Sequence, residues 1–177
     1  ISEYYFMKYK GMFYQDLIES ENLGLEEYIH HPETFYLNNL QTRLISGVGY
    51  ESGEEVTRVI YDQALENLRK FKVFGITEDM GSTLALFYMV LEWKRVPYYL
   101  KSNVNDQRPK RESISKEETD AIRERDKYDV MLYQEAKSMF DSMVTEKATQ
   151  IDSIKGRIMK PSTIYKLYLK VLNRMLN

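Results

Sequence analysis

Only one stretch of this chain, Val73-Phe74-Gly75-Ile76, is short, apolar and β-branched enough to read as a buried strand, and the segments on both sides carry helical periodicity. A complete parallel sheet needs several strand–helix units. The chain therefore reads as helices around a single strand, part of an α/β arrangement rather than the whole of one.

The helical signals are local and specific. Ser52-Gly53-Glu54-Glu55 has the form of a capping box, so a helix is expected to start there. Behind it, Val56, Val59, Ile60, Ala64, Leu65 and Leu68 recur at three- and four-residue steps as one stripe, which ends in Arg69, Lys70 and Lys72. Thr77-Glu78-Asp79 opens another helix running to about Trp93, and Ser115-Lys116-Glu117-Glu118 is a second capping box with a helix to about Thr149. Nearer the start, residues 2 to 20 are expected to be helical, although Gly11 weakens the middle by roughly 1 kcal/mol relative to Ala. A short turn over Leu25–Ile29 ends at His30-His31-Pro32, because the residue before a proline is pushed out of the helical region. Another short segment follows around Asn38 to Ile45. An amphipathic helix is expected over Ile164 to Leu176, and the polar run from Val96 to Ser113 is the expected loop.

The composition bounds the function classes. With 177 residues, 43% apolar and 29% charged, the chain is long enough for one domain with a core, taken as residues 1–177, and disorder is excluded. A net charge of −2 makes no field for nucleic acid or an anionic membrane, so anion binding must come from a local cluster of basic residues. The absence of cysteine removes disulfides, thiolate metal sites and a Cys nucleophile. No apolar run is long enough to span a bilayer, so no membrane contact is expected from this segment. A start at Ile1, inside an aromatic-rich amphipathic stretch, carries the expectation of a preceding part.

Arg108-Pro109-Lys110-Arg111 is the strongest basic cluster, able to present several charged donors to phosphate or sulfate, with Lys155-Gly156-Arg157 a weaker second. Against it stands the ordinary reading of a solvated charged loop. Arg43 either meets an anionic acceptor, braces a site, or is an ordinary arginine on a helix surface. Glu78 follows the single strand, an address that often carries function in open α/β sheets, although a cap or an ion pair is the reading preferred here. His30-His31 invites a metal reading, but adjacent side chains diverge and no third ligand is evident. No metal is expected.

Ser2-Glu3-Tyr4-Tyr5-Phe6 matches the end of the motif Arg-x-Pro-x-x-Arg-x-x-Ser-x-Tyr-Tyr-Phe found in sulfotransferases that use 3′-phosphoadenosine-5′-phosphosulfate (PAPS). Four further pieces follow in the same family's order: residues 36–47 (Tyr36 to Gly47), Ala64 to Leu68, Phe74-Gly75-Ile76-Thr77-Glu78, and Asp126 to Phe140 with Asp129-Val130-Met131-Leu132-Tyr133. Together they resemble the C-terminal half of carbohydrate sulfotransferases related to heparan sulfate 2-O-sulfotransferase.

The resemblance implies an α/β, P-loop-like sulfotransferase fold, of which this chain would be the mostly helical C-terminal part with one or few strands. It implies an enzyme that moves a sulfuryl group from PAPS to a hydroxyl, with carbohydrate as the acceptor class. Ser2 would bind the donor's 3′-phosphate, helped by a helix N-terminus. Arg108, Lys110 and Arg111 would lie over donor or acceptor anions, and Arg43 would serve the acceptor. The phosphosulfate loop and the catalytic base are expected ahead of Ile1, so the segment alone is expected to be inactive and no residue here receives a catalytic role. A reading from another class stays open: a helical protein-interaction module without catalysis, presenting the long charged helix and the terminal amphipathic one.

Overall fold

In a computed structural model of the chain, the structure describes Tyr4, Lys8, residues 14–49, residues 53–97, Tyr99, Pro109, residues 113–158, residues 170–172 and residues 174–175. These residues fall into two compact units, one comprising residues 1–70 with 102–135 and the other residues 71–101 with 136–177.

The first unit contains α1 (Gln15–Ser20), α2 (Leu25–His30), a 3₁₀ turn (Pro32–Leu37), α3 (Leu40–Ser46), α4 (Arg58–Lys70) and α6 (Lys116–Arg125). It also takes in the first turns of α7 (Lys127–Glu146). One core gathers Tyr4, Ile18, Leu25, Tyr28 and Ile29, with Ile122 of α6 packed against it. Of the expected stripe, Ile60, Ala64 and Leu68 on α4 are buried together with Tyr61, which the periodicity did not include, whereas Val59 is 77% exposed; α3 packs on this helix. The helix starts later than its expected box: Gly53 has φ +66°, a left-handed conformation that an N-terminal helical turn excludes, and α4 opens only at Arg58. Ser52 lies outside the described residues.

In the second unit, α5 (Met80–Val90) follows a 3₁₀ turn (Thr77–Asp79), and the later part of α7 and α8 (Ala148–Ile158) complete it. Its core is Ile76, Ala85, Leu86, Phe140, Ile151, Ile154 and Ile158. Asp79 caps α5 by accepting from the Ser82 N–H at 3.0 Å, and Lys155 reaches across from α8 to Asp79 and Ser82 at 3.4 and 3.1 Å.

The expected α/β, P-loop-like sulfotransferase fold is overturned: the described residues are helical and include no strand or sheet. The reason is visible at Ile76. Its backbone is extended, at φ −121° and ψ 148°, yet among the described residues no strand lies beside it. Instead the Thr83 hydroxyl of α5 accepts from the Ile76 N–H at 3.0 Å and donates to the Ile76 carbonyl at 2.9 Å. One side chain satisfies both groups that a neighbouring strand would have taken. Gly75 makes this possible, because a β-carbon there would overlap the Thr83 side chain.

The long helix expected from the second capping box is divided. The box itself forms, with the Glu118 N–H donating to Ser115 Oγ at 3.0 Å and the Ser115 N–H to Glu118 Oε2 at 2.9 Å. The helix then stops at Arg125, restarts at Lys127, and yields to α8 at Ala148. Most of the amphipathic segment expected at Ile164 to Leu176 lies outside the described residues.

Candidate functional site

Asn39 is the residue that divides the long helix. It is buried and left-handed, at φ +47° and ψ +40°, a region Asn tolerates better than other side chains with a β-carbon. Its Nδ2 donates to the Arg125 carbonyl at 2.9 Å, while its Oδ1 accepts from the Tyr128 and Asp129 N–H groups at 2.8 and 3.1 Å. Asn39 thus closes the end of α6 and the start of α7 together. The service is returned. Asp129, in the first turn of α7, accepts at Oδ2 from the Gln41 N–H at 3.0 Å and at Oδ1 from the Thr42 N–H and hydroxyl, both at 2.7 Å. Asp126 accepts from the Asn39 N–H at 3.0 Å. Two helix N-termini, those of α3 and α7, are therefore capped by side chains from each other's strand of sequence.

The electrostatics follow from burial. Burial pushes the Asp129 carboxyl above the usual carboxylate range, against the pull of its hydrogen bonds from Thr42 and Gln41. Arg43, on α3, is 0% exposed. Burial pulls its guanidinium below the ordinary arginine range, opposed by the charges of Glu54 and Asp129, and it remains a cation. Its Nε donates to the Asn38 carbonyl at 3.0 Å, its Nη2 donates to Asn38 Oδ1 at 2.9 Å, and its carbon Cζ stands 6.0 Å from the centre of the Phe35 ring. Its burial overturns the reading of an ordinary helix-surface arginine, and its bonds brace Asn38.

Asn38, Phe35, Glu55, Glu124, Lys127 and Tyr128 line a cleft of about 450 Å³ in the first unit. Apolar Ile29 and Val56 contribute to its wall. Arg125 borders it too, but its guanidinium is bound to Asp126 at 3.0 Å, and Lys127 stands 3.7 Å from Glu124. His31 is occupied at both ring nitrogens: Nδ1 accepts from the Glu33 N–H at 3.2 Å and Nε2 meets Glu21 at 3.1 Å. Those bonds make His31 a structural cap. The cleft offers mixed donors and acceptors beside aromatic surface, with its cations matched by carboxylates.

Of the residues singled out from the sequence, Ser2, Arg108, Lys110 and Arg111 lie outside the described residues. Lys155 holds the Asp79 cap in the second unit, and Glu78 is exposed in the 3₁₀ turn, where Asp79 and not Glu78 caps α5. Asn38, Asn39 and Asp129 were missed as site-forming residues. The signal open to inspection was the Asn-Asn pair ahead of a short apolar segment, since paired Asn residues favour left-handed and capping conformations.

Among the described residues no three His, Asp or Glu side chains converge as metal ligands, and no helix is long and apolar enough to cross a membrane. No family model, curated protein or solved structure matches the chain.

Proposed function

We propose that the chain is part of a PAPS-dependent sulfotransferase that acts on a hydroxyl of a carbohydrate. One observation carries the reading: the two longest pieces of the family resemblance, residues 36–47 and Asp126 to Phe140, meet through the Asn39 and Asp129 caps. Segments about ninety residues apart in sequence are joined by one hydrogen-bond network, which supports reading them together. Sulfuryl transfer needs fixed donors for the anionic ends of PAPS and a preorganised frame behind them, and reciprocal capping makes such a frame rigid. In this reading Ser2, Arg108, Lys110 and Arg111 hold donor or acceptor anions, and Arg43 braces the frame.

The all-helical character of the described residues favours a second reading, a helical binding module without catalysis. Calorimetric titration of the full-length gene product with 3′-phosphoadenosine-5′-phosphate separates the two. Under the transferase reading the nucleotide binds saturably, adenosine 5′-phosphate binds far less well, and Ser2→Ala with Arg108→Ala weakens binding by ~tenfold or more through lost charge-assisted hydrogen bonds. Absence of binding, or binding indifferent to the double substitution, overturns that reading in favour of the module.

A further inference from the structure

Asn38 is a polar side chain that the fold aims and leaves with one end free. It is 8% exposed, and its Oδ1 accepts from Arg43 Nη2 and Nε at 2.9 and 3.3 Å. A guanidinium can only donate, so Arg43 sets the amide's orientation: oxygen inward, Nδ2 turned away. Among the described residues the sealed side-chain atoms without a partner are Nη1 of Arg43 and Nη1 of Arg125, and Asn38 Nδ2 is not one of them. It has no hydrogen-bond acceptor among the described residues either, and Asn38 is part of the cleft wall.

Around that donor the cleft sets out a particular chemistry. Phe35 is 41% exposed and borders the cleft, with the buried Arg43 guanidinium over one face of its ring, so it offers aromatic surface there. The Tyr128 ring, 5.7 Å from that of Tyr61, adds a second aromatic surface. Glu55 and Glu124 supply carboxylate acceptors. Arg125 is engaged by Asp126 and Lys127 stands near Glu124, so each cation that lines the cleft has a carboxylate beside it. An aromatic face, an oriented amide donor and carboxylate acceptors in a charge-balanced hollow of about 450 Å³ fit a ring with an apolar C–H face and an edge of hydroxyls.

We propose that this cleft binds an uncharged pyranose ring of a glycan, its C–H face on Phe35 and a hydroxyl accepting from Asn38 Nδ2. The inference concerns the cleft alone and holds whether or not the chain transfers sulfuryl groups. The test is retention of the full chain on an array of immobilised oligosaccharides that includes neutral, uronate-bearing and sulfated members. Retention on neutral members is expected, falling by ~tenfold in Phe35→Ala and in Asn38→Asp. Asn38→Asp keeps an acceptor for Arg43 but replaces the free donor with a charged carboxylate beside that buried cation, so lost retention in a variant whose thermal midpoint does not fall marks binding rather than folding. Retention of charged glycans only, of none, or retention equal to wild type in Asn38→Asp overturns the proposal. Glycan retention without nucleotide binding sinks the transferase reading alone, and nucleotide binding without glycan retention sinks this one alone.

Discussion

At Asn39 a single side chain makes three hydrogen bonds to backbone groups that two helix ends would otherwise leave open. Removing it strands buried donors and an acceptor, so Asn39→Ala is expected to cost about 3 kcal/mol in chemical denaturation. Asn39→Gly loses the same bonds but accepts the left-handed backbone, and should be milder by about 1 kcal/mol. Equal losses in the two variants would remove the conformational part of this account. Two carboxylates respond to pH in opposite senses. Burial alone would raise Asp79, but hydrogen bonds from Ser82 and the charge of Lys155 outweigh it and hold the carboxyl below its ordinary range. Its contribution is therefore present above the usual Asp pKa and is lost as pH falls through the depressed value. Asp129 lies above the ordinary range because of burial, so its contribution is full below the usual Asp pKa and declines as pH rises through the raised value. Urea midpoints measured against pH should lose their acid-side fall in part in Asp79→Asn, and lose the decline just above the carboxylate range in Asp129→Asn.

The extended run before α5 shows how an element with strand character can lack a strand's partners. Val73 and Ile76 have the composition of a strand, yet hydrogen bonding at Ile76 is completed by Thr83 from the adjacent helix. Thr83→Val keeps the shape and removes both bonds, with an expected loss of about 2 kcal/mol by thermal or urea unfolding, whereas Thr83→Ser should retain most of the stability. Gly75→Ala drives a β-carbon into Thr83 and is expected to cost about 2 kcal/mol or more. A neutral result in Gly75→Ala would mean that Thr83 can move aside. Two signals that depend on neighbours in sequence translated directly, the Ser115–Glu118 box and the extended His31 ahead of Pro32, at ψ 133°, whereas the helix expected from Ser52 opens only at Arg58. The same periodicity carried no mark of the break at Asp126, because that break is made by a residue 87 positions away.

On the scale of the whole chain, each unit has its own apolar core, and Phe140, 1% exposed, anchors the second. Phe140→Ala is expected to cost about 3 to 5 kcal/mol and to raise amide exchange in α5 and α8. Undiminished protection in both helices would deny Phe140 that role. The amino-acid sequence by itself determined that the chain is rich in helix and that the Ser115–Glu118 cap forms, since these depend on contacts within a turn or two. Only tertiary structure decided that Val73–Ile76 would be completed by a helix hydroxyl, that Asn39 and Asp129 would cap each other's helices, and that Arg43 would be buried to hold Asn38 beside a cleft. Those outcomes depend on partners that chain folding brings together across as many as 90 residues, a distance over which hydrophobic periodicity carries no information about which polar groups will meet.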